Sequence, residues 1–248
     1  MACICVKAQT GETPAPPPPA WLFNPALRST QSRSLPYTIR VFVHIVRSNS
    51  GTGLGSGIVN TIISRLNSDF AGSGIQFQSG GTSFIDNTYY NQLSPSQYQT
   101  LFNINSHSHA IDIYVLGTST QTNDVNGYAS SISSTAYWVH GSVYNTSTLS
   151  HEMGHCLGLY HTHHGTVTES GGDTNQCKEL VNGSNGATCG DYIADTPADP
   201  RLWNGCNYSG GSNIKDANGQ TYNPSSTNIM SYANNSCRTS FTSMQHNC

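Results

Sequence analysis

The chain has 248 residues and a net charge of -3, and only 9% of its residues are charged. In soluble domains about a quarter of the residues are usually charged, so Ser, Thr, Asn and Gly must form much of this surface. No basic stripe indicates nucleic acid and no apolar run approaches the roughly 18 residues that span a bilayer, so we expect a soluble monomer without nucleic acid or membrane partners.

Residues 1–36 are predicted to form a Pro-rich arm outside the folded domain or the remnant of a pro-segment. Pro14 and the run from Pro16 to Pro19 favour a polyproline conformation, which cannot lie inside a sheet. We therefore place one domain at residues 37–248. Met1 to Lys7 is too short to be a complete signal peptide.

The first half of this domain alternates strand and helix patterns. Ile39 to Val46 is β-branched and predicts a strand, in which His44 is expected to be structural. Apolar residues at helical spacing predict a helix from Ile58 to Phe70, and Ile75 to Phe77 a short strand.

The next elements lie on either side of a histidine pair. Ser94-Pro95 predicts a helix start, and Ile111 to Leu116 a buried strand. His107 and His109 show no recognisable ligand partner in the sequence, so we expect a surface role for them.

Asn126 to Ser130 is predicted to form an edge strand, and Tyr137 to Tyr144 a further short strand. Extended peptides bind by adding a strand to an exposed edge. The predicted substrate-binding residues are Gly127, Tyr128, Ala129 and Ser130.

The most informative stretch runs from His151 to His161 and reads HEMGHCLGLYH. On a helix, residues four apart share a face, so His151 and His155 can bind one metal ion. A continuous helix would carry His161 out of reach. Gly158 can adopt the left-handed conformation that ends a helix, so we expect the chain to turn there and return His161 as a third zinc ligand.

Glu152 points about 100° away from His151 around the same helix, which is too far to join the ligands. It is well placed to hold a water at the open fourth position and to act as general base. The competing interpretation is a structural or adventitious metal site, which would more often be closed by a fourth Cys or His. Cys156 faces elsewhere and is expected to pack as a small apolar residue.

After His161 the periodicity gives way to Gly, Asn, Asp and Pro, which predicts a compact irregular region. Its Gly- and Asn-rich loops contain Cys177, Cys189, Cys206 and Cys237. Such loops need covalent links, so we expect an oxidising, secreted location. Four cysteines allow three pairings, and the sequence does not choose among them. Two further motifs stand out, Gly190 to Pro197 and Asn228 to Tyr232.

Taken together, the zinc motif with Thr162, Asp195-Thr196-Pro197, Asn228 to Tyr232 and the ending from Cys237 to Gln245 resemble the metzincin metallopeptidases, and within them the pappalysin family of pregnancy-associated plasma protein-A. The resemblance covers roughly residues 37–246. It implies an α+β fold with an upper subdomain (37–161) containing a twisted mixed sheet and two main helices. A substrate cleft and a lower irregular subdomain (162–248) held by disulfides complete it.

The resemblance also implies residue roles. Met230 forms the apolar floor under the zinc, and Tyr232 donates to the oxyanion, although each would otherwise be interpreted as core packing. Asp191 and Asp195 are candidate calcium ligands, although Asp before Pro also favours a turn. The implied disulfides are Cys206-Cys237, with Cys177-Cys189 by proximity. His163 and His164 depart from the pattern, and we expect them at the surface.

These features predict a secreted zinc endopeptidase that hydrolyses extended proteins or peptides, with His151, His155 and His161 as ligands and Glu152 as base. The alternative is a catalytically weak zinc-containing module that binds peptides. We also hypothesise that a thiolate from Cys3 or Cys5 caps the zinc in a latent form.

Overall fold

The computed structural model describes residues 37–91, 97–117, 125–165 and 177–247, and the backbone of residues 3–6. These residues form two compact units. The sheet unit contains residues 3–6 and 37–158, and the loop unit contains residues 159–165 and 177–247. The proline run, the predicted helix start at Ser94 and Cys248 lie outside the described residues.

The sheet unit is built on one mixed sheet of six strands, in the order β1-β5-β6-β4-β2-β3. Strands β3, β2, β4 and β6 are parallel, whereas β5 and β1 are antiparallel to their neighbours. The strands are β1 (Cys3–Val6), β2 (Tyr37–Arg47), β3 (Ile75–Asp86), β4 (Ile111–Leu116), β5 (Val125–Ala129) and β6 (Ala136–His140).

Three helices accompany the sheet in the described residues: α1 (Ile58–Asp69), α2 (Tyr98–Leu101) and α3 (Ser147–Cys156). Helix α1 packs on β3, α3 packs on β5 and β6, and the two helices contact each other. Ser150 Oγ donates to Asp69 Oδ2 at 2.6 Å, so α1 holds α3 one residue before His151. None of these helices has the length and apolar character needed to cross a bilayer.

The central strands are buried on both faces, as expected for parallel strands covered on each side. In β4, Ile113 and Val115 alternate with Tyr114 and Leu116, and all four are fully buried. A core cluster joins Tyr114, Leu116 and Trp138 with Tyr98 and other residues around α2. The hydrophobic pattern that predicted β4 therefore reflects burial on both faces.

The loop unit contains little regular structure in its described part. It has a two-stranded ribbon, β7 (Trp203–Asn204) with β8 (Asn207–Tyr208), and one short 3₁₀ turn at Gln245–Asn247. Both disulfides implied by the resemblance, Cys177-Cys189 and Cys206-Cys237, are present. Side chains also bind the backbone, as where the Asp216 carboxylate accepts from three main-chain N–H groups.

Two predicted strands differ in length from the structure. Strand β3 continues to Asp86. The prediction ended too early because most residues after Phe77 are exposed or half-buried at the sheet edge, which leaves no strong hydrophobic signal. The strand predicted at Tyr137 to Tyr144 ends at His140, where turns lead into α3. Within the predicted arm, residues 3–6 form β1, because β5 offers an edge to which they bond.

Candidate metal centre and its surroundings

Helix α3 presents the first two histidines of the zinc motif. The side chain of Thr146 caps the helix by accepting from the Thr148 N–H. His151 and His155 are both fully buried, and their ring centroids are 4.7 Å apart. The four-residue spacing therefore places both imidazoles on one side of the helix.

The chain leaves the helix as the motif requires. The Leu157 N–H bonds back to Met153 and Gly154, and Gly158 has a φ of 97°, in the region that favours glycine. In this continuous stretch the ligand atoms of His151, His155 and His161 all lie within 4.8 Å of one another, and all three residues are buried. A tetrahedral zinc keeps its donors about 3.3 Å apart, so this set of three imidazoles fits the ion.

Cys156 follows His155 but is a poor candidate ligand. It is buried as a free thiol. Burial, and then the charge of Glu152, raise its pKa well above the usual thiol value. The thiolate that binds metals is therefore disfavoured, which agrees with the predicted packing role.

Glu152 is completely buried and lies against strand β5. A methyl group on Gly127 would lie 2.8 Å from Glu152 Oε1 and 2.9 Å from its Cγ. Only glycine therefore leaves room for this carboxylate at position 127. Sequence analysis predicted Gly127 as a substrate-binding residue. The structure adds a steric reason for a glycine at this position.

The edge of β5 is not free in this structure, contrary to the expectation of an exposed edge. Strand β1 pairs with it antiparallel, with Cys5 opposite Gly127, Ile4 opposite Tyr128 and Cys3 opposite Ala129. Ser130 follows the strand, and its hydroxyl hydrogen-bonds Ser134. The chain's own N-terminal strand thus occupies the edge predicted for substrate, while the thiols of Cys3 and Cys5 lie outside the described atoms.

In the loop unit, His161 belongs to an aromatic group that the sequence did not reveal. The His163 ring stacks on the His161 ring with centroids 4.7 Å apart. The centroid of the Tyr232 ring lies 4.5 Å from that of His161 and 4.4 Å from that of His163. The Arg201 guanidinium lies over the Tyr232 ring at 4.6 Å. The predicted surface position of His163 and His164 is wrong, because both are buried.

Met230 is fully buried beside the chain that follows His161. Its N–H donates to Asn228 Oδ1 at 2.8 Å, and its carbonyl accepts from the Thr162 N–H at 3.2 Å. Asn228 in turn binds Gln245, and Thr162 Oγ1 donates to Asp199. This network fixes the Met230 turn against the segment that carries His161.

The two candidate calcium ligands have different surroundings. Asp191 is buried, whereas Asp195 is exposed and its oxygens accept from Thr242 and Met244. The sequence missed Glu179, which is 1% exposed and whose carboxylate oxygens have no hydrogen-bond partner among the described residues. Burial, followed by the charges of Asp191 and Asp199, raises the pKa of Glu179 to about 9.

Comparison with known proteins identifies the fold. No protein-family profile matches the sequence. An extracellular metalloprotease of Sordaria macrospora is 27% identical over 84% of this chain and 71% of its own length. An extracellular metalloprotease of Colletotrichum graminicola is 26% identical over 90% and 78%. A promirolysin mutant from Tannerella forsythia superposes with a TM-score of 0.61 at 21% identity, covering 92% of this chain and 84% of that one.

The fold is metzincin-like α+β, with a mixed sheet, few helices and two disulfides, as predicted. The relatives and the site together support a metallopeptidase. Membership of the pappalysin family in particular stays a prediction.

Proposed function

We propose that this chain is a secreted zinc endopeptidase. The observation that carries the proposal is the buried convergence of His151, His155 and His161. The similarity to extracellular metalloproteases supports both the reaction class and the location. Three imidazole donors without a fourth protein ligand are typical of catalytic zinc sites.

Zinc held by the three histidines would supply a Lewis acid that polarises the scissile carbonyl. Glu152 then has the role of general base: it takes a proton from the attacking water and returns it to the leaving amine. Its burial favours this role, because exclusion of solvent strengthens the hydrogen bond between the carboxylate and the attacking water.

Tyr232 is the proposed donor to the developing oxyanion. It packs edge-on against His161, and the Arg201 cation over its ring is a further positive charge in its surroundings. Met230 is proposed as the apolar floor of the site, held by the Asn228 turn.

The substrate is proposed to bind antiparallel along β5, at Gly127 to Ser130. Strand β1 supports this assignment, because it is an extended segment that pairs antiparallel with the same edge. It also follows that β1 and a substrate would compete for one edge. Removing residues 1–7 should therefore lower KM for a peptide substrate. An unchanged KM would contradict this binding mode.

The decisive test is the replacement Glu152→Gln, assayed on a quenched fluorescent peptide library and on casein. Loss of the base should lower kcat/KM by about 10²- to 10⁴-fold while the zinc content stays at the wild-type value. Chelation should abolish the wild-type activity and added zinc should restore it. Equal inactivity of wild type and Glu152→Gln, with retained peptide binding, would favour the alternative of a binding module.

We also propose calcium binding at Asp191, with Glu179 rather than Asp195 as the second carboxylate. Glu179 is enclosed, since methyl groups on Gly186 or Gly190 would lie 2.7 or 2.8 Å from its oxygens. A buried carboxylate without hydrogen bonds fits a hard cation. Calcium should raise the melting temperature of the wild type and have no effect on Glu179→Gln. An equal rise in both proteins would contradict the assignment.

A further inference from the structure

A second group of possible metal ligands lies in the sheet unit, separate from the His151 motif. His44 on β2, Asp112 on β4 and His107 in the loop before β4 bring one ligand atom each to within 4.8 Å of one another. His44 and Asp112 are buried, and the His107 side chain is 26% exposed. Sequence analysis did not predict this group, since it assigned a structural role to His44 and a surface role to His107.

The sheet register explains how these residues meet. Strands β2 and β4 are parallel, with Phe42 opposite Asp112 and His44 opposite Tyr114. His44 and Asp112 are therefore diagonal neighbours on one face. The His107 ring stacks on Phe42 at 3.8 Å, and the His44 ring stacks on Tyr114 at 4.4 Å. Both imidazoles are held in place by aromatic packing.

Two histidine ring nitrogens approach one carboxylate oxygen. His44 Nε2 lies 2.9 Å and His107 Nδ1 lies 2.8 Å from the same oxygen, Asp112 Oδ1. Zinc with bonds of about 2.0 to 2.2 Å separates its ligands by about 3.3 Å. Movements of roughly half an ångström would admit the ion, and the exposed side of His107 gives access for it and for a water ligand.

The outer partners that metal ligands require are also present. His44 Nδ1 is 2.9 Å from Ser83 Oγ, and Asp112 Oδ2 accepts from the His107 N–H at 2.7 Å. Such contacts fix the tautomer of a ligating histidine and the orientation of a ligating carboxylate. His44 and Asp112 therefore each direct one atom at the proposed metal position and hold another atom in a hydrogen bond to an outer partner.

We propose that His44, His107 and Asp112 form a second site for zinc or a similar divalent transition metal, which links β2, β4 and the loop before β4. Two imidazoles and a carboxylate are a ligand set typical of zinc. We assign the site a structural role, because His44 and Asp112 lie on two paired central strands of the sheet. It does not depend on the proposed peptidase activity.

The test is a calorimetric titration of the metal-free full chain with Zn²⁺ in excess calcium. We expect two sites in the wild type and one in both His107→Ala and Asp112→Asn. His109→Ala is the matched control, because this exposed neighbour contributes no ligand, and it should retain both sites. His155→Ala should lose the other site and leave this one intact.

The outcomes separate the two metal sites. Two zinc ions in His107→Ala, or a single wild-type zinc lost only in His155→Ala, would overturn the proposal without affecting the catalytic site. A single wild-type zinc lost only in His107→Ala would support it and overturn the catalytic site instead. If His107→Ala and Asp112→Asn lower the melting temperature but keep both zinc ions, the group is a hydrogen-bond network and the proposal fails.

Discussion

The sheet unit buries apolar strands on both faces, whereas the described loop unit relies on two disulfides and on side chains that bond to the backbone. The first kind of structure derives its stability from area removed from water, and the second from restricting the unfolded chain and satisfying polar groups. The three candidate zinc ligands of one chain are therefore held by two different kinds of support. His151 and His155 belong to the packed unit, and His161 belongs to the cross-linked one.

The largest effect on stability is expected from the core of the sheet unit. Leu116 is fully buried in the cluster around Trp138. Leu116→Ala should lower the free energy of unfolding by about 2 to 5 kcal/mol, measured by urea denaturation. Hydrogen exchange should quicken in β4 and β6. Tyr37→Ala, at a position that is 45% exposed, should change stability by less than about 0.5 kcal/mol.

Removing a covalent link should affect the loop unit next. Replacing Cys206 and Cys237 together by Ser should cost about 2 to 4 kcal/mol, and hydrogen exchange should quicken in residues 203–240 before the sheet. The Cys177-Cys189 loop is shorter, with a separation of 12 instead of 31 residues. Its loss should cost about 0.8 kcal/mol less in the loop-entropy model. A larger cost for the shorter loop would contradict this account of the unit.

A smaller and purely functional effect is expected at Gly127. Gly127→Ala places a methyl group against the carboxylate of Glu152, the proposed base, so this carboxylate must move. We expect kcat to fall about 10-fold or more with unchanged zinc content, since each increase of about 1.4 kcal/mol in the activation free energy lowers the rate tenfold. Gly55→Ala is the control, because its methyl group meets no atom within 4 Å. Equal kcat in the two variants would show that β5 does not position Glu152.

A pH dependence of stability is also expected, and it belongs to the loop unit. Burial raises the pKa of Glu179 from 4.5 to about 9, so its protonated form stabilises the folded state. In calcium-free buffer this contribution is complete below pH 4.5 and is lost as the pH rises towards 9. Melting temperatures between pH 5 and 9 should fall less steeply in Glu179→Gln. Part of the slope should remain, because the pKa of Asp191 is raised to about 8.

Local patterns predicted much of the sheet unit. The helical spacing that starts at Ile58 corresponds to α1, and the β-branched runs that start at Ile39 and Ile111 lie within β2 and β4. Burial of these elements imposes a hydrophobic period on the sequence. The turn at Gly158 followed from the need to return His161. Strand β3 was predicted too short, since an edge strand with mixed exposure leaves little periodic signal.

The sequence by itself determined the zinc motif, its helix and the irregular character of the chain after it, because each depends on residues within one or two turns of each other. Tertiary structure alone decided four further features: the pairing of β1 with β5, the burial of His163, the enclosure of Glu179 and the meeting of His44, His107 and Asp112. These depend on strand register and on contacts between distant segments. Local propensity does not encode such contacts, since they form only when the whole sheet or turn network closes.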